Sequence, residues 1–152
     1  MPRKPERART PRGVVDTSVL VAGISGFRPR LPRRDNDSAR LIRRWVERRP
    51  FVWLVSDDIL DEYRHVLRRL GVRRATVGRV LNLLAESAEL VTGGSSRGLS
   101  PDPGDEPFCA SAESGRADFI VTLNPSDFPH DRLSAKVIAP GDRLPGGRPR
   151  SR

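Results

Sequence analysis

Gly13-Val14-Val15-Asp16-Thr17-Ser18-Val19-Leu20-Val21-Ala22 decides the reading of this chain. Gly13 to Asp16 has the length and apolar character of a short buried strand. It runs directly into Thr17 to Ala22, which opens a helix. A carboxylate beside a core is unfavourable, because burial penalises its charged form. An acid at this junction therefore asks for a reason. Three more acids occupy similar edges of apolar segments. Glu62 lies in Ser56-Asp57-Asp58-Ile59-Leu60-Asp61-Glu62-Tyr63, Asp105 in Asp102-Pro103-Gly104-Asp105, and Asp127 after Ile120-Val121-Thr122-Leu123-Asn124. Carboxylates that converge in a fold are stabilised by a divalent cation, and hard oxygen ligands suit Mg²⁺ or Mn²⁺.

Outward from that stretch, strand-like and helix-like segments alternate. Ser38 is the expected N-cap of a helix to Arg49, with Leu41, Ile42, Trp45 and Val46 on one face. Phe51 to Val55 reads as a strand. Ser56 caps a third helix, whose apolar residues Ile59, Leu60, Tyr63, Val66, Leu67 and Leu70 recur at helical spacing before Gly71 closes it. A fourth helix is expected over 73–86, a short strand over 89–92, and a fifth helix from Asp105 that buries Phe108, Cys109 and Ala112. Strands follow at 118–123 and 136–139. Residues 27–37 and 93–104 read as loops. Strands apolar on both faces, alternating with helices, predict an α/β fold with a central parallel sheet of about four to five strands covered on both sides. Ligands of such sheets bind beyond the strand C-termini, which would let Asp16, Glu62, Asp105 and Asp127 face one crevice.

The chain has 152 residues, 36% of them hydrophobic and 31% charged, enough for one domain with a core. Its net charge is +9, concentrated at the ends. Residues 1–12 hold Arg3, Lys4, Arg7, Arg9 and Arg12 against Glu6, and residues 141–152 hold Arg143, Arg148, Arg150 and Arg152 against Asp142. Both ends are rich in Pro, Arg or Gly and are expected to be disordered basic tails around a folded unit at 13–140. Such tails attract polyanions by counterion release. An arginine-rich coding bias accounts for them equally well, since only Lys4 and Lys136 are lysines.

No apolar run approaches the roughly 20 residues of a membrane span. Cys109 has no partner for an intrachain disulfide, consistent with a cytoplasmic setting. His65 and His130 are too few and too far apart for a zinc site. No Walker-type phosphate loop occurs, and Gly93-Gly94-Ser95-Ser96 reads as a flexible loop.

Four motifs in order resemble a known family. Val14-Val15-Asp16-Thr17-Ser18-Val19-Leu20 resembles the opening of the PIN-domain nucleases, and Ser56 to Leu67 resembles their helix carrying an inward glutamate. Asp102-Pro103-Gly104-Asp105-Glu106-Pro107-Phe108 resembles their third acidic motif. Ala117 to Phe128 resembles their last strand and acidic turn. The resemblance covers roughly residues 13 to 140 and is closest to the VapC-like toxins of toxin–antitoxin systems. It implies a Mg²⁺- or Mn²⁺-dependent endoribonuclease with an RNA substrate, a small antitoxin partner and a homodimeric state. It implies Asp16, Glu62 and Asp105 as core metal ligands and Asp127 as a more variable fourth acid. Asn124 stands where many relatives carry Asp. Ser18 stands where Asn is common, and its hydroxyl can orient Asp16 as an outer-shell donor.

Each of these residues also has a plainer reading. Asp16 can be a helix N-cap, Glu62 a solvated partner of Arg64 or Arg68, Asp105 a complement to a helix dipole, and Asp127 an Asx-turn residue. Cys109 reads as core, and Trp45 and Trp53 as core or dimer-interface residues rather than base-stacking platforms. The alternative function is a nucleic-acid-binding protein that keeps the fold without catalysis, its affinity supplied by the basic tails.

Overall fold

The computed structural model describes residues 9–25, 36–92 and 103–146. The loop segments read at 27–35 and 93–102, Asp102 among them, lie outside the described residues, as do 1–8 and 147–152 of the two tails. The elements run β1 (Arg12–Val15), α1 (Thr17–Ser25), α2 (Asp37–Arg48), β2 (Val52–Val55), α3 (Asp57–Arg69), α4 (Arg74–Ser87), β3 (Glu89–Leu90), α5 (Glu106–Ser114), β4 (Phe119–Val121) and β5 (Lys136–Ile138). Two short 3₁₀ turns, Pro125–Asp127 and His130–Arg132, join β4 to β5.

The strands form one five-stranded sheet in the order β3-β2-β1-β4-β5. Every pairing is parallel, as the apolar strands predict. β1 lies in the middle, with Gly13 beside Trp53 on one flank and Phe119 on the other. β1, β2 and β4 are almost wholly buried, the pattern of a sheet covered on both faces.

Aromatic side chains bind the layers together. Trp45 from α2 meets Trp53 from β2 edge-on at 4.9 Å. Phe51 meets Phe119 edge-on at 5.2 Å, and Tyr63 from α3 lies 6.1 Å from Phe108 of α5. These separations fall in the favoured range for aromatic pairs. The indole N–H of Trp45 donates to the Phe51 carbonyl at 3.0 Å, so the buried ring leaves no orphan donor. Both tryptophans belong to the core.

Helix ends follow local chemistry, with one correction. The cap of α2 is Asn36, not Ser38. Asn36 accepts from the Ala39 N–H at 2.7 Å, and its amide donates to the Ala22 carbonyl at 3.1 Å. That second bond ties the start of α2 to α1 and favours Asn36 over Ser38, which is the buried second residue of the helix. Ser56 caps α3 as expected, accepting from Ile59 N–H at 3.1 Å. Gly71 follows that helix with φ 78, the left-handed region glycine enters without a Cβ penalty.

The folded unit takes in Arg12, counted above with the basic tail. Its side chain donates to the Gly115 carbonyl at 3.1 Å and forms a salt bridge with Glu89. Leu144 packs against the core. Among the described residues no helix is long and apolar enough to cross a membrane.

Gly13 is the tightest point of the sheet. A Cβ placed there would lie 2.1 Å from Cζ of Phe119. Gly13→Ala must therefore displace a ring locked against Phe51, and overpacking of this kind costs about 1–3 kcal/mol. Urea denaturation should show that loss, and an unchanged midpoint would mean the Phe119 ring relaxes freely.

Candidate metal centre

The site begins where β1 ends. Asp16 is only 7% exposed. Its backbone N–H continues the sheet by donating to the Val121 carbonyl at 2.9 Å, and its carbonyl accepts the Val19 N–H at 3.0 Å as α1 starts. The carboxylate does not act as an N-cap. Its Oδ2 instead accepts from the Ser18 hydroxyl at 2.7 Å and from the Thr122 hydroxyl at 2.8 Å. Its Oδ1 takes no hydrogen bond from the described residues. Oδ2 is thus held in place by two hydroxyls.

The two hydroxyls belong to a wider frame. Ser18 Oγ also accepts the Leu123 N–H at 3.2 Å, and Thr122 Oγ1 accepts the Asn124 N–H at 3.1 Å. Thr122 is wholly buried at the end of β4. α1 and the turn after β4 are thereby joined across the end of the sheet, with Asp16 between them. Asp16, the start of α1 and the turn after β4 lie at the C-terminal edge of the sheet, the edge where such folds bind ligands.

A model of the PIN domain matches residues 12–126. The chain belongs to the PIN-domain family. Two solved structures share its fold. One is a chain of VapBC2 from Rickettsia felis, crystallised bound to a DNA fragment from their promoter. It is 12% identical, with a TM-score of 0.54, over 84% of this chain and 97% of that one. The other is PAE2754 from Pyrobaculum aerophilum, 16% identical with a TM-score of 0.52 over 88% of this chain and 87% of that one. No curated protein sequence matches the chain.

Within this PIN domain the other acids differ in setting. Glu62 is half-buried on α3 and forms no hydrogen bond or ion pair with the described residues. Arg64, one of the partners its plainer reading required, pairs with Asp61 at 3.5 Å instead. Asp105 occupies the N-cap position of α5 without a capping side-chain bond. Asp127 is exposed on the 3₁₀ turn, where its backbone N–H donates to the Asn124 carbonyl at 3.0 Å. Asn124 is exposed too. It reaches Asp16 only through its own backbone and the Thr122 hydroxyl.

Cys109, in the second turn of α5, reports which charges lie together. Burial pushes its thiol up to about 12, and Glu106, Asp105, Asp16 and Glu113 add nearby negative charge in that order. Asp16 and Asp105, 89 positions apart in the chain by their numbers, thus act on the same buried group. Glu106, 8% exposed at the first position of α5, acts on it more strongly than either.

Two residues of this site escaped the sequence reading. Thr122 looked like strand filler, and its only signal was a hydroxyl at the end of an apolar run. Glu106 lies inside the third acidic motif, and its signal is an acid directly following another acid at a helix start.

Among the described residues no three His, Cys, Asp or Glu side chains stand close enough to hold one ion. Mg²⁺ does not need three. It keeps several waters and binds through one or two carboxylates. An oxygen-only set with a half-engaged buried carboxylate at Asp16 and an unpaired Glu62 fits that chemistry. It does not fit Zn²⁺, which favours nitrogen and sulfur ligands.

Thr122→Val removes one of the two donors to a buried carboxylate. Hydrogen bonds to charged groups contribute about 1.5–3 kcal/mol, so chemical denaturation should show a loss of that size, with Thr122→Ser recovering most of it. Cys109 yields a pH prediction. Its folded pKa lies above the unfolded value, so above about pH 8.5 the unfolded chain releases a proton that the folded chain keeps. This part of the stability is complete below that pH and is lost as pH climbs towards about 12. Cys109→Ser should flatten the alkaline limb of a stability–pH curve, and the wild-type thiol should resist a thiol reagent until the chain unfolds.

Proposed function

We propose that this PIN domain is a divalent-metal-dependent endoribonuclease, serving as the toxin of a toxin–antitoxin pair. The observation that carries the reading is the Asp16 carboxylate. It is buried and held through Oδ2 by two hydroxyls, while Oδ1 takes no hydrogen bond from the described residues. Oδ1 is not sealed in the core, so a hydrated ion can reach it.

Asp16 would hold the ion directly, and Glu62, Asp105 and Asp127 would reach it through its coordinated waters, since no three of the described acids stand close enough to ligate one ion together. When bound, Mg²⁺ or Mn²⁺ lowers the pKa of a coordinated water and neutralises charge on a phosphoryl oxygen. Ser18 and Thr122 fix the carboxylate of Asp16 so that no reorientation is needed when substrate arrives. Asn124 contributes its backbone to that frame and no charge of its own. The Asp16 end of the sheet is otherwise closed by the buried side chains of β1 and β4, which limits water to the ligand side of the carboxylate. In-line attack by water on the RNA phosphate leaves a 5′-phosphate and a 3′-hydroxyl, as the family resemblance implies.

A small antitoxin partner, a homodimeric state and a cytoplasmic location complete the proposal. Support for the antitoxin comes from the Rickettsia felis neighbour, which is part of a VapBC2 structure. Excess Arg over Asp and Glu in the chain supports a polyanionic substrate.

Purified protein is expected to cleave RNA with Mg²⁺ or Mn²⁺ and to stop with a chelator. Asp16→Asn should reduce cleavage by about a hundredfold or more, the scale of losing a group that stabilises the transition state, while RNA binding in a filter assay stays near the wild-type level. If the variant cleaves normally and removal of both tails ends RNA binding, the chain is a binding protein that keeps the fold without catalysis.

A further inference from the structure

Tyr63 is the least explained side chain near the proposed centre. It is wholly buried, yet it carries a hydroxyl. That hydroxyl donates to the carbonyl of Val15 and accepts from the indole N–H of Trp53 at 3.3 Å.

The chain positions at the two ends of that bond matter more than the bond itself. Val15 is the residue before Asp16. Tyr63 is the residue after Glu62. The bond therefore spans α3 and the end of β1 at the point where each presents a candidate ligand. The two segments are 48 positions apart in sequence. Among the described residues no other hydrogen bond joins α3 to β1. Phenylalanine at 63 would fill the same volume and pack on Trp53 and Phe108 equally well. Packing alone therefore does not call for the hydroxyl.

We infer that Tyr63 is a positioning residue for the metal centre: its hydroxyl sets the placement of Glu62 on α3 against Asp16 at the end of β1. This rests on the metal-dependent reading given above. Among the described residues Tyr63 forms no hydrogen bond to either acid. It acts by fixing the backbone that carries each, as the outer-shell partners of metal ligands do. Without the bond α3 keeps its apolar packing, but its register against β1 is no longer pinned at the level of the acids.

The test is calorimetric titration of full-length protein with Mn²⁺. Wild type, Asp16→Asn, Glu62→Gln, Tyr63→Phe and the Glu62→Gln/Tyr63→Phe double variant are compared. Thermal midpoints are measured in chelator as the fold control. Tyr63→Phe should weaken Mn²⁺ affinity about tenfold, the lower range for loss of an outer-shell partner. In the Glu62→Gln background the same change should cost nothing further, because the ligand it positions is gone. Trp53→Phe removes the indole donor and leaves the Val15 bond, so it should keep wild-type affinity even where it lowers the midpoint.

Tyr63→Phe that lowers the midpoint and leaves Mn²⁺ affinity unchanged overturns the inference alone. So does an equal loss of affinity in Trp53→Phe, which would mark the effect as core packing. Wild-type protein that binds no Mn²⁺, or binds it as well after Asp16→Asn, overturns the metal-dependent reading and this inference with it.

Discussion

The end of β1 is the point on which the rest of the molecule depends. A carboxylate removed from water is costly unless hydrogen bonds replace its hydration. Here the replacement comes from two separate parts of the chain. The Thr122 hydroxyl bonds the carboxylate from just after β4 and Ser18 bonds it from α1, while the Val121 carbonyl takes the Asp16 backbone N–H. Tyr63 holds the preceding carbonyl from α3. With so many independent ties, the acid cannot move unless the sheet, the first helix and the third helix move together. Such over-determination lets a fold keep one side of a charged group unsatisfied.

What could be read in advance was what is local. Asp16 and Ser18 are two positions apart, so the hydroxyl–carboxylate pair could be seen in the sequence. Ser56 caps its own helix for the same reason. Thr122 lies 106 positions from Asp16, and nothing within its own strand distinguishes it from a β-branched core residue. Asp118 shows the complementary difficulty. It too is an acid at the edge of an apolar strand, and it is buried. But it stands at the beginning of β4, where it accepts the Arg12 backbone N–H at 2.8 Å and fastens the start of β1. Only strand polarity separates it from the ligand candidates. The cap of α2 turned on a tertiary contact as well, because Ser38 and Asn36 are both competent caps and the Ala22 carbonyl selects between them.

Charge is spent unevenly across the molecule. Some arginines are structural. Arg12 holds the Gly115 carbonyl and Glu89. Arg49 lies over the Trp45 ring at 4.5 Å and reaches Ser87. Neither is available to a polyanion without loss of packing. Exposed pairs such as Arg64 with Asp61 add little stability. The overall excess of positive charge is therefore a poor guide to where a nucleic acid would lie, and a better guide to how quickly one would be attracted.

The flanks of the sheet carry a last consequence. β3 has two residues, both exposed, and one of them is a glutamate tied to Arg12. β5 has three and opens on an exposed lysine. An unpaired strand is a template on which other chains can add, and short charged edges are how natural proteins blunt it. Each border here offers too few rungs and too much charge for a foreign strand to zip along. The protein can thus carry an almost entirely apolar interior ribbon without advertising it as a seed for aggregation.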